Sequence, residues 1–229
     1  MPGVKDAANW DLASLIDHTL LLPASTVTEV EAWCEQAERF HFLRVCVNPC
    51  HVKRAVECLY NSPVAVTTVV GFPLGTSLPE VKLYEAQMAV EQGATELDVK
   101  INLTYLKEAN ADALHAEVAQ IVAETGVPVK AVLETALLTD AEKQLAGEIC
   151  MDAGAAFLMT STGWTGGATA EDVRLLAELT RGRIEVKASG GIKTVDWAIT
   201  LLEAGARRLG TSYGVELIQQ LEAEPDQEP

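Results

Sequence analysis

The sequence predicts an α/β protein built as a single (β/α)8 barrel of the TIM type. Consecutive strand candidates are separated by 23 to 33 residues, about the length of one βα unit. Eight such units favour a closed barrel, and no dinucleotide-binding glycine fingerprint follows the first one. The eight β-branched runs are centred on Asp17, Val45, Val69, Val99, Val132, Leu158, Val186 and Leu209.

Signals for helix boundaries lie between these runs. Three capping boxes, in which Thr or Ser is followed three residues later by Glu, predict helix starts at Thr26 and Glu29, Ser77 and Glu80, and Thr139 and Glu142. Three glycines follow helical stretches and predict left-handed caps: Gly126, Gly154 and Gly205. We therefore expect one domain over residues 1–229, with a disordered acidic tail at 222–229.

Composition limits the class of protein. The chain has 229 residues, 48% of them apolar, which is enough for one large core. A formal net charge of −16 argues against a nucleic-acid partner, because such proteins need basic surfaces. The longest apolar runs fall far short of the roughly 20 residues of a membrane span, and residues 1–10 resemble no signal peptide.

The cysteines and histidines predict neither disulfides nor a metal site. The five cysteines form no Cys-x-x-Cys pair, which is typical of free thiols in a reducing cytosol. The four histidines are scattered and do not have metal-ligand spacing. We expect a cytoplasmic protein without metal or other cofactor.

The fourth strand carries an unusual charged pair. It reads ELDVKIN over residues 96–102, and its alternation turns Asp98, Lys100 and Asn102 toward the barrel axis. An acid and a base inside a barrel are costly unless they are paired. A buried ion pair without chemical use is one reading. A functional pair is the other, because active residues of this fold lie at the carboxyl ends of the strands.

Three later strand ends are polar and rich in glycine. They read TSTGWTGG after strand six, SGG after strand seven and GTSYG after strand eight. Backbone amides at helix N-termini bind anions, and the last loops of such barrels often hold phosphate. These three ends together predict a phosphate site.

The motifs at the strand ends resemble those of the deoxyribose-phosphate aldolases, which are class I aldolases. They occur in that family's order over nearly the whole chain: IDHTLL (16–21), VCVNP (45–49), VVGFPLG (69–75), ATELDVKIN (94–102), KAVLET (130–135), TSTG (160–163), KASGGI (187–192) and RLGTS (208–212). The resemblance implies reversible cleavage of 2-deoxy-D-ribose 5-phosphate to D-glyceraldehyde 3-phosphate and acetaldehyde. A lysine Schiff base would carry the reaction. The expected partners are these phosphosugar and aldehyde substrates and a second copy in a homodimer.

The resemblance also implies roles for individual residues. Asp98 matches the proton-relay aspartate, and Lys187 matches the lysine that neighbours the Schiff-base lysine and lowers its pKa. Residues matching the substrate pocket are Asp17, Cys46 and Thr160. Residues matching the phosphate site are Gly163, Ser189, Gly190, Gly191, Gly210, Thr211 and Ser212. Trp164 stands where some relatives carry a phosphate-contacting lysine.

Two departures concern the nucleophile. The family pattern has a lysine directly before TSTG, but this position is Met159, which has no amine. Two places after Asp98 the family has an apolar residue, but here it is Lys100. Strands four and six are separated by about 10 Å, so a long lysine on one could reach the position served by the other.

Three readings of these changes remain open. Lys100 has taken over as nucleophile; or Lys187 has done so; or the protein is a catalytically inactive phosphosugar-binding barrel in which Lys100 pairs with Asp98. An isomerase that uses Asp98 as a base is a further class. In the first reading, Asp98 should favour the charged form of Lys100.

Overall fold

A computed structural model describes residues 10–223 of the chain. In these residues eight parallel strands close into a barrel in sequence order, β1 pairing with β8. The predicted (β/α)8 fold is confirmed, and each strand contains the residue on which it was centred in the sequence. The strands are β1 (Ile16–Leu20), β2 (Arg44–Val47), β3 (Ala65–Val70), β4 (Glu96–Lys100), β5 (Val129–Val132), β6 (Phe157–Met159), β7 (Glu185–Ser189) and β8 (Arg208–Thr211).

Helices surround the barrel and cover its outer face. Within the described residues they are α1 (Leu12–Leu15), α2 (Val27–Arg39), α3 (Val52–Cys58), α4 (Pro79–Glu91), α5 (Leu103–Lys107), α6 (Ala111–Thr125), α7 (Asp140–Asp152), α8 (Ala170–Thr180), α9 (Val195–Glu203) and α10 (Gly214–Ala223). The apolar core lies between these helices and the strands and includes Leu97, Val99 and Ile101 of the β4 segment. None of these helices is both long and apolar enough to cross a bilayer.

Most of the boundary predictions agree with the structure, but one is wrong. Thr26 and Thr139 form complete capping boxes with Glu29 and Glu142. Ser77 does not cap α4, because Pro79 occupies the first helical position and Leu78 becomes the N-cap residue. The three predicted glycine caps, Gly126, Gly154 and Gly205, all have positive φ.

The predicted disordered tail is only partly within the described residues. Its first two residues, 222 and 223, continue helix α10, so the prediction is wrong for them. The remaining residues, 224–229, lie outside the described part of the chain, as do residues 1–9.

Candidate active site

The barrel axis holds a buried network of alternating charges. The Nζ atom of Lys187 lies 2.6 Å from Oδ2 of Asp17 and 2.7 Å from Oδ2 of Asp98. These three residues come from β7, β1 and β4 and are at most 1% exposed. Burial alone would raise the pKa of Asp17, but the Lys187 and Lys130 ammoniums and the Arg208 guanidinium hold it well below its usual range.

Three members of this network, Lys130, Arg208 and Glu96, were not predicted as site residues. Lys130 on β5 donates to Asp98 Oδ1 at 2.9 Å and lies 2.7 Å from Oε2 of Glu96. Arg208 on β8 joins Asp17, at 3.3 Å, to Glu96, at 3.1 Å. Their signal was present in the sequence, since each stands at an inward position of a strand whose motif was already recognised.

The network corrects the reading in which Asp98 pairs with Lys100. Both carboxylate oxygens of Asp98 accept from other lysines, Lys130 and Lys187. Lys130 is the register partner of Asp98 on the neighbouring strand β5, and Lys187 comes from β7, whereas Lys100 lies two residues further along β4. Asp98 is thus held between two cations and has no hydrogen bond to Lys100.

Lys187 is held as an ammonium ion. Burial alone would lower its pKa, but the carboxylates of Asp17 and Asp98 outweigh burial and raise the pKa above the usual range of lysine. A Schiff-base lysine must be neutral to attack a carbonyl. The structure therefore counts against Lys187 as the nucleophile.

Lys100 lies in a different environment. Its side chain is 2% exposed, and its Nζ atom donates to the carbonyl oxygen of Ile101 at 3.2 Å. Among the described residues no carboxylate oxygen lies within 4.0 Å of this amine. Burial lowers the pKa of Lys100 to about 8, Glu134 opposes this change, and the cation of Lys82 reinforces it. The expectation that Asp98 keeps Lys100 charged is therefore wrong.

Lys100 and Met159 belong to one ring of inward-facing residues. Lys100 is in register with Val132 on β5, and Val132 is in register with Met159 on β6. Met159 is in turn in register with Lys187 on β7. A side chain on β4 and one on β6 thus both project into the barrel, with one strand between them.

The loop between β3 and α4 covers Lys100. A Cβ atom on Gly75 would lie 2.3 Å from the carbonyl oxygen of Ile101 and 3.0 Å from Cγ of Lys100. Phe72 of the same loop lines a cavity at the mouth of the barrel. To meet a substrate in that cavity, the Lys100 amine has to leave the Ile101 carbonyl and turn toward the axis.

The predicted phosphate residues converge on this cavity, whose volume is about 460 Å³. Gly163, Gly190 and Gly191 have positive φ, a backbone conformation that glycine adopts without steric strain. Lys193 contributes an ammonium group, and Trp164 stands at the rim in edge-to-face contact with Phe72, with ring centroids 6.5 Å apart. All seven predicted residues line the cavity: Gly163, Ser189, Gly190, Gly191, Gly210, Thr211 and Ser212.

The remaining predicted pocket residues lie below the cavity. Cys46 is buried, with Sγ 4.0 Å from Oδ2 of Asp98, and burial raises the pKa of its thiol above the usual range. The hydroxyl of Thr160 donates to the carbonyl of Ser189 and accepts from its amide, at 3.2 and 3.1 Å. Thr160 therefore joins the ends of β6 and β7 through the backbone of Ser189.

Comparison with known proteins agrees with this arrangement. The sequence profile of the "DeoC/LacD family aldolase" matches residues 12–220. The chain belongs to the DeoC/LacD aldolase family. A deoxyribose-phosphate aldolase of Trichormus variabilis is 57% identical over 215 residues, covering 94% of this chain and 95% of that protein. The enzyme of the same name from Thermosynechococcus vestitus is 58% identical over 210 residues, covering 92% and 97%.

Solved structures of DeoC/LacD-type aldolases have the same fold. The aldolase QR15 superposes with a TM-score of 0.89 at 41% identity and covers 93% of this chain and 96% of its own. The deoxyribose phosphate aldolase of Aeropyrum pernix, described as a unique tetramer, gives 0.87 at 34% identity with coverage of 97% and 99%. Within residues 10–223 no group of three or more His, Cys, Asp or Glu side chains is placed to hold a metal ion.

Proposed function

We propose that this DeoC/LacD family member cleaves 2-deoxy-D-ribose 5-phosphate through a Schiff base on Lys100. The observation that supports this choice is the contrast between the buried amines. Lys130 and Lys187 are bound by carboxylates, whereas Lys100 has one carbonyl acceptor and a pKa near 8. Burial lowers the pKa of Lys100, whereas the carboxylates of Asp17 and Asp98 raise the pKa of Lys187, so Lys100 is more readily neutral than Lys187 near physiological pH.

The chemical steps follow from a neutral Lys100 amine inside the barrel. The Lys100 amine adds to C1 of the open-chain aldehyde, and loss of water gives an imine. Removal of the proton from the C3 hydroxyl lets the C2–C3 bond break, which releases glyceraldehyde 3-phosphate and leaves an enamine. Protonation at C2 and addition of water then release acetaldehyde and free the amine. The family resemblance implies Asp98 as the proton-relay group and Lys187 as the neighbouring cation that lowers the pKa of the Schiff-base lysine.

Borohydride reduction with acetaldehyde tests the nucleophile directly. The expected product is an N-ethyl group on Lys100. Trypsin does not cleave after an alkylated lysine, so peptides 83–100 and 101–107 should be replaced by one peptide covering 83–107. A fused peptide 184–193 would place the adduct on Lys187 instead. Absence of an adduct at any pH, with phosphosugar binding retained, would mean an inactive binding barrel.

The pH dependence of trapping provides a second measurement in the same experiment. Lys100 has a pKa lowered to about 8, so its reactive neutral form becomes dominant as the pH rises through that value. Initial trapping rates should therefore increase between pH 7 and 9 and then level off. A midpoint near the ordinary pKa of an exposed lysine, about 10.4, would contradict this assignment.

The phosphate group of the substrate is assigned to the cavity lined by Gly163, Gly190, Gly191 and Ser212. Titration with inorganic phosphate should shift the amide resonances of these four residues in ¹⁵N-labelled protein, because backbone amides are the principal donors there. The amide of Gly126, at the C-cap of α6, should not move. Unmoved resonances at all four positions would exclude the assignment.

Substitution of Gly190 extends this test. A Cβ atom there would lie 3.0 Å from Cα of Gly163 and 3.1 Å from the carbonyl oxygen of Gly166. Gly190→Ala should weaken phosphate binding by about tenfold or more, equivalent to about 1.4 kcal/mol. Gly126→Ala is the matched control, since Gly126 also has positive φ but no atom lies within 4 Å of its Cβ position.

Localisation and assembly are inferred on separate grounds. The cysteines among the described residues are free thiols, which is typical of a reducing cytosol.

Four large apolar side chains are exposed on and beside α4: Leu74, Leu78, Val81 and Tyr84. A surface of this kind is typical of a protein that associates, and we infer a cytoplasmic homo-oligomer, with a homodimer as its smallest form.

A further inference from the structure

A second buried ion pair lies directly behind Lys100, on the outer side of the barrel. Lys82 of α4 and Glu117 of α6 are 0% and 2% exposed, and Nζ of Lys82 lies 2.7 Å from Oε1 of Glu117. Two helices thus place opposite charges against the end of β4. An ion pair without access to water is weak evidence for stability, because desolvation offsets the attraction. The hydrogen bonds that this pair makes to the backbone therefore indicate whether it has a role besides stability.

Both members of the pair bind the backbone around Lys100. The ammonium of Lys82 donates to the carbonyl oxygen of Lys100 at 2.8 Å. The other oxygen of Glu117 accepts from the amide of Asn102 at 3.1 Å. The pair therefore holds the chain on either side of Ile101, at the point where β4 ends and α5 begins.

The position of Lys82 is fixed by close packing. A Cβ atom on Gly71 would lie 2.8 Å from Cε of Lys82, so glycine there leaves just enough room for the lysine stem. The amide of Gly71 also donates to Glu85 of α4 at 2.7 Å. The same loop that covers Lys100 is in this way joined to the helix that carries Lys82.

We propose that the Lys82–Glu117 pair is a positioning device for Lys100, which fixes the end of β4 and places a cation behind the reactive amine. The inference rests on the proposed function of Lys100 as the Schiff-base lysine. The groups that set the charge state of Lys100 come from four elements around it. They are Glu134 after β5, Lys82 on α4, Glu117 on α6 and the Cys150 thiol on α7.

Replacing the Lys82 cation distinguishes a positioning role of the Lys82–Glu117 pair from a purely structural role. In Lys82→Met the repulsion of the Lys100 ammonium is removed while Glu117 still attracts it. The pH midpoint of borohydride trapping should therefore move up by roughly one unit. Lys82→Arg keeps the cation and should keep the midpoint of the wild type. A loss of folding in one variant leaves the other as the test.

Lys143→Met is the matched control. Lys143 of α7 forms a 2.6 Å ion pair with Asp172 of α8, so it also joins two helices, but it has no hydrogen bond or ion pair to the β4 segment. This variant should leave the trapping midpoint unchanged. A Lys82→Met protein that loses stability and trapping yield at an unshifted midpoint would overturn the inference alone. A wild-type protein without any lysine adduct would overturn the proposed function, and this inference with it.

Discussion

Lys100→Met should abolish borohydride trapping and lower the rate of deoxyribose 5-phosphate cleavage by more than about a thousandfold, or about 4 kcal/mol in barrier height. The reason is that methionine fills a similar buried volume without an amine, and the other buried lysines of the axis, Lys130 and Lys187, are bound by carboxylates. The rate and the intact mass after reduction are the two measurements. Lys53→Met, on the exposed face of α3, should leave both unchanged.

A second substitution in the same background tests whether the rest of the site is complete. Met159→Lys in the Lys100→Met protein should restore trapping, because residue 159 projects into the barrel from β6, one strand beyond β5, and is in register with Lys187. The adduct should then map to residue 159. Full activity of Lys100→Met alone would contradict the assignment of the nucleophile.

Lys130→Met should lower the free energy of unfolding by about 3 kcal/mol, because two buried ion pairs are lost, although Lys187 still partners Asp98 and Arg208 still partners Glu96. Urea denaturation followed by circular dichroism provides the measurement. Lys107→Met is the control, since the Lys107–Glu142 pair is exposed at the surface and its loss should change the unfolding midpoint little. A similar small change in both variants would mean that the axial network does not stabilise the fold.

The alternation of side chains along strands could be read from the sequence, and it accounts for the part of the site that was predicted. The strand centres and the inward direction of Asp98 and Lys100 follow from a period of two, and the glycine-rich strand ends line the cavity at the mouth of the barrel. Ser77 was wrongly predicted as an N-cap because the signal of Pro79 competes with it two residues later. A local pattern predicts the start of a helix reliably only when no second start signal lies beside it.

The partners of the buried charges could not be predicted in the same way. The sequence shows which face of β4 carries Asp98, but the amines nearest to it come from β5 and β7, 32 and 89 residues away along the chain. Which cation reaches a carboxylate first depends on the stagger between strands, and the stagger is set by closure of the barrel. Lys130 stands at a recognisable inward position, but for this reason it was not assigned to Asp98, and Lys100 was given a partner that it does not have.

The ring that contains Lys100, Val132 and Met159 also limits how one arrangement of the nucleophile can change into the other. Two substitutions separate a barrel with its amine on β6 from one with its amine on β4. Taken in one order, the intermediate keeps only the Lys187 ammonium in this row and cannot form an imine. Taken in the other order, it carries two further lysines about 10 Å apart, and their mutual repulsion favours the neutral form of both. Under the proposed assignment of Lys100, only the second order keeps a functional enzyme at every step, and the accessible route passes through a barrel with both lysines.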